Sequence, residues 1–179
     1  MPRHILSAVA AAVLVLGAGA ASAQTIDFGS EANRVWWNGV TPQELEELTI
    51  EAGGTFTDMP DEAEVVISRL AFPGLDFPVF VHQGDCLAPA EEPLATRNCG
   101  TMAMMIEGIE PPADVDLYRQ YESAWVTTAF SDTTGRMHRV EIFKYGTTRG
   151  AVLAALLMFA GDARGNLILM NEIDDLSGW

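Results

Sequence analysis

The sequence predicts an α+β domain, a twisted antiparallel sheet of about five to six strands with about three helices packed on it. Three observations predict it. Runs rich in Val, Ile, Phe and Met follow one another between Pro and Gly, as strands joined by hairpins do. The helical segments lie outside those runs, and helices segregated from a hairpin-connected sheet settle on one of its faces. The length, finally, suits one core.

The chain opens "MPRHILSAVAAAVLVLGAGAASAQ". A basic head at Arg3, an apolar run and the small triplet Ala21-Ser22-Ala23 make residues 1–23 a signal peptide, cleaved before Gln24. An exported, periplasmic protein follows. Of the 179 residues, removal of 23 leaves 156, and removal of Arg3 leaves 9 basic against 25 acidic side chains, a net charge of −16. Nucleic acid and anionic lipid are excluded as partners, because both require clustered Lys or Arg against phosphate. Lys144 is the only lysine.

Residues 24–40 read as irregular, and 41–170 as the domain. In "TPQELEELTIEAGG", Thr41 caps, Pro42 takes the first helical position, Glu44 completes a capping box and Gly53-Gly54 stop the helix. Leu45, Leu48 and Ala52 form its apolar face. Strands follow at "TFTD", "AEVVISRL", "DFPVFVHQ" and "CGTMAMMIE". Pro78 demands an edge position or a late strand start. A second helix is read at "ADVDLYRQYESA", with Leu117 and Tyr121 on one face, then a hairpin of "WVTTAFSD" and "RMHRVEIFKY" turning at Thr133-Thr134-Gly135. The last helix, "TTRGAVLAALLMFAGDARG", places Val152, Leu156, Phe159 or Ala160, and Ala163 at helical spacing. Its apolar run from Ala151 to Ala160 is too short to span a membrane, so it is read as buried. "NLILM" extends it or ends it, and 171–179 reads as a loose acidic tail.

Chemistry concentrates in "VHQGDCLAPAEEPLATRNCGTMAMM". Zinc sites use close Cys or His pairs, and here Cys86 and Cys99 stand twelve residues apart with His82 and Asp85 nearby. Thiolates with the thioethers of Met102, Met104 and Met105 suit Cu(I), which keeps a small-ligand or Cu(I)-binding periplasmic protein as the alternative. Against it, Met102 and Met104 alternate in phase with Ile106, as a buried strand face does. In an oxidising compartment the cysteines read most simply as a structural disulfide closing a 14-residue loop, worth roughly 3 kcal/mol. Catalysis by a Ser, Cys or Thr needs a base, and only His82 and His138 remain after cleavage. His138 is in phase with Val140 and Ile142 and is read as a sheet residue at the core margin. No catalytic motif, metal or cofactor is assigned. Trp36 and Trp37 stand before the first helix, one to pack and one to meet a partner.

From Thr41 to Leu167 the chain resembles the YbjN domain family, described as bacterial sensory transduction regulators. The resemblance lies in the "TPQELEELTIEAGG" opening, the paired strands ending at a cysteine, and the closing "WVTTAFSDTTGRMHRVEIFKYGTTRGAVLAALLMFAG". It implies a type III secretion chaperone-like fold, a protein-binding or assembly role and no catalytic residues. From "YESAWV" only Trp125 carries over, as a third partner-binding aromatic. The expectation is thus a non-enzymatic, chaperone-like or regulatory accessory module in exported form, binding another protein or itself as a homodimer.

Overall fold

The computed structural model of the protein describes residues 26–58, 66–87, 97–125 and 129–177. The signal peptide and cleavage point read in the sequence lie outside them. Six strands form one antiparallel sheet: β2 (Thr55–Asp58), β3 (Val66–Ala71), β4 (Val79–Leu87), β5 (Asn98–Ile106), β6 (Ala129–Ser131) and β7 (Arg136–Ile142), in the order β2-β3-β4-β5-β7-β6. A separate two-stranded pair joins β1 (Trp36–Trp37) to β8 (Thr147–Thr148). Three helices, α1 (Pro42–Glu51), α2 (Val115–Trp125) and α3 (Arg149–Ser177), complete the α+β architecture the sequence predicts. Pro78, with no N–H to give a ladder, falls just before β4, so the late strand start is realised and β4 keeps a central place.

The local signals act as read. Thr41 accepts from the Glu44 N–H while Glu44 takes the Thr41 N–H, closing the capping box. At the other end, Gly54 N–H donates to the Thr49 carbonyl and Gly53 N–H to that of Ile50, the paired bonds of a Schellman motif. Asp114, with its carboxylate accepting from the Leu117 N–H, caps α2 in the same way.

One face of the sheet is covered. Leu70, Val79, Val81, Met102, Met104, Ile106 and Met137 have no exposed surface and pack beneath Leu45 and Leu48 of α1 and Val152, Leu153, Leu156, Phe159 and Ala163 of α3. Each aliphatic or aromatic side chain so removed from water contributes about 1.5–3 kcal/mol before the entropy of ordering it. Met102 and Met104 are therefore core residues in phase with Ile106, as the alternation indicated.

The structure corrects three readings here. Residues 24–40 are not irregular throughout, since a 3₁₀ turn at Ala32–Arg34 and β1 lie within the described part. The tail from 171 is not loose: α3 runs 29 residues to Ser177, with Met170 and Ile173 buried and Asp174 accepting the Ala113 N–H. That helix is long and apolar enough to cross a membrane by length and composition, so the short-run argument no longer separates the two cases. Its packing does, because the inner stripe from Val152 to Ile173 is spent on the sheet and α2. In α2, Leu117 packs against the core and Tyr118 is buried beside it, while the Tyr121 side chain lies outside those described.

Tyr118 sits edge-on to Phe130, ring centres 5.5 Å apart, and its hydroxyl donates to Asn166 Oδ1 of α3 at 3.0 Å. Both partners are buried. Tyr118→Phe keeps the ring contact and strands the Asn166 oxygen, so it lowers unfolding stability by about 1–3 kcal/mol in urea titration. An unchanged midpoint would show that the bond contributes nothing net.

Candidate protein-binding surface

The residues singled out in the sequence gather at two places. At one end of β4 and β5, Cys86 and Cys99 stand directly opposite in the ladder and are bonded to each other. Val40 attaches to the free side of Cys99 through two backbone bonds, of 2.9 and 3.0 Å. The buried Gln83 amide donates to the Val40 carbonyl at 2.8 Å, fixing that segment against β4 as well. A cavity of about 370 Å³ opens beside the bond, lined by Asn38, Asp85, Cys86, Leu87, Gly100 and Lys144. Asp85 holds a left-handed backbone, φ 51°, which aspartate tolerates better than most residues. Asp85 and Lys144 meet at Gly100, where an added Cβ would lie 3.5 and 3.7 Å from them. The cavity is shallow and both charged groups are exposed.

The metal reading gains no geometry here. Both sulfurs are consumed by one bond, Met102 and Met104 turn into the core, and Met105 turns to the opposite face of the sheet. Among the described residues no three His, Cys, Asp or Glu side chains gather as a metal would require.

Trp36 and Trp37 divide as expected. Trp37 packs on the core while Trp36 stays 62% exposed, its ring over Gly146, where any Cβ would come within 2.5 Å of it. Trp125 ends α2, and its side chain lies outside those described.

The second place is the sheet's other face, which the sequence reading did not single out. Among the described residues no helix covers it. Three cross-strand rows cross its centre: Arg69–Phe80–Met105–His138, Ile67–His82–Ala103–Val140, and Gly84–Thr101–Ile142. An antiparallel sheet with one wet face normally alternates apolar inward with polar outward. Here six of the eleven outward positions are apolar, Ile67, Phe80, Ala103, Met105, Val140 and Ile142, with Val140 56% and Ile142 69% exposed, and the polar ones are Arg69, His82, Thr101 and His138. No aspartate or glutamate occupies the three rows, in a chain that has 25 of them. Glu107, just past β5, is tied to Arg136 at 2.6 Å.

His138 therefore shares a face with Val140 and Ile142 as read, but that face is the solvent side and not the core margin. The physical reason lies in β7 itself: Met137, one step out of phase, is the residue buried against the helices. His82 and His138 lie on this same open face, in neighbouring rows. Among the described residues neither imidazole has a hydrogen-bond or ion-pair partner, so nothing orients either as a base. The signal that finds this surface is an absence, of acidic residues at alternate positions in four strands, and it emerges only once their register is known.

Set beside known proteins, the chain matches no family, no curated protein and no solved structure.

Proposed function

We propose that this is a non-enzymatic, exported accessory module that works by binding protein through the outer face of its sheet. The observation that carries the reading is the apolar, acid-free centre of that face, bounded by an otherwise strongly acidic chain. Contiguous exposed apolar surface on a soluble domain marks an interaction site, and charge depletion at its centre is what distinguishes an interface from ordinary surface. The resemblance to the YbjN domain family, with its chaperone-like assembly role, supports the same reading. Trp36, 62% exposed over Gly146, is an aromatic free to extend such a contact.

The test is site-specific photocrosslinking in the native cell. A photoreactive residue in place of Val140 yields a covalent adduct of defined mass, whereas the same residue in place of Ile168, 58% exposed on α3, yields none. Absence of an adduct from position 140 would end the proposal. Fractionation of the same cells checks export, with the mature chain beginning at Gln24.

A further inference from the structure

We propose that a second copy of this chain covers the outer face, two sheets stacking into a sandwich about a twofold axis that lies in the interface and crosses the strands. The inference rests on the binding reading above and names its partner. Charge supplies the first argument. A chain of net charge −15 repels itself everywhere except where acids are missing, and the three central rows are such a place. A basic partner would be drawn to the acidic surface instead, and this face offers it no carboxylate.

Shape supplies the second. The axis lays the row of Phe80, Met105 and His138 on that of His82, Ala103 and Val140, which sets Met105 of one copy on Ala103 of the other and puts Arg69 over Ile67, away from its symmetry mate. Met105 against Ala103 at the centre sets a large side chain on a small one, as interdigitated sheet faces require. Area supplies the third. The 38 strand residues, at about 3.3 by 4.8 Å each, give the face about 600 Å² per copy. Two copies bury about 1,200 Å², the lower end of the range of a specific interface.

The experiment is sedimentation and light scattering on the purified, disulfide-intact mature chain, alongside Val140→Glu and Ile168→Glu. Both positions are exposed in the single copy, so folding is retained and circular dichroism checks it. The expected results are twice the monomer mass for the natural chain and for Ile168→Glu, with self-association weakened at least about tenfold in Val140→Glu, where a carboxylate loses its water with only His138 of the other copy facing it. A monomer up to the highest soluble concentration overturns the inference, whether the face is covered by another protein or by a segment of the same chain. So does a dimer that Val140→Glu leaves intact or that Ile168→Glu dissociates. If the natural chain is monomeric and the crosslink from position 140 is to a different protein, the binding reading survives and the second copy does not.

Discussion

Gly39→Ala is expected to destabilise the domain by about 3 kcal/mol or more. A Cβ at Gly39 would stand 2.2 Å from Asn98 Oδ1 and 2.7 Å from the Cys99 carbonyl oxygen. The Asn98 oxygen ends a side chain and can turn aside, but the Cys99 carbonyl is backbone and cannot retreat cheaply. The Cys99 carbonyl is the acceptor of the Val40 N–H, and the Cys99 N–H donates back to Val40. Moving the segment away breaks both bonds, withdraws the Val40 carbonyl from the buried Gln83 amide and exposes Val40, now 1% accessible. Two net hydrogen bonds at about 1 kcal/mol each, a stranded buried amide and a partly exposed valine account for the figure. Urea unfolding of the mature chain measures it, and a loss below about 1 kcal/mol would mean that the Gly39 segment is not held as described.

The second large effect is the loss of the disulfide. Cys86→Ser and Cys99→Ser each remove a cross-link closing a loop of about 14 residues, which in the loop-entropy model is worth about 3 kcal/mol. For a domain of this size that lowers the melting temperature by roughly 10 °C. Cys99→Ser is the more damaging, because Cys99 is fully buried while Cys86 is half-buried, and a serine hydroxyl at Cys99 also loses water. The double variant is no worse than Cys99→Ser alone, since all three lack the same bond. Additive losses in the thermal melts would contradict a simple staple. Thiol titration gives the companion result: no reactive thiol in the natural chain even when denatured, and two after reduction.

How much of this was legible depended on how local the cause was. Thr41, Pro42, Glu44 and Gly53 fix both ends of α1 within fourteen residues of sequence, and the structure reproduces each contact. Alternation in "CGTMAMMIE" placed Met102 and Met104 correctly because three buried residues in phase outweigh any other reading. Alternation alone shows which residues share a face and is silent on which face is covered, so His138 was put on the wrong side. The end of α3 was hidden by Glu172, Asp174 and Asp175, whose charges mask the buried Met170 and Ile173 between and before them. Pairing of β1 with β8 leaves no local trace at all, as two residues are too few to show a period. The outer face is the extreme case, for a missing charge acquires meaning only against a known register.

The clamp at the start of α3 has a consequence for how the chain is made. Arg149 donates to Asn33, 116 residues earlier, and also reaches Glu51, while Trp36-Trp37 wait for Thr147-Thr148 to pair. The part of the domain synthesised first is thus among the last to be seated. Until the ribosome has delivered nearly the whole protein, two tryptophans and an unpaired strand remain available to any other chain. Contacts of such long separation slow folding and lengthen that exposure. A nascent chain arrested short of Arg149 should therefore be held open at its beginning.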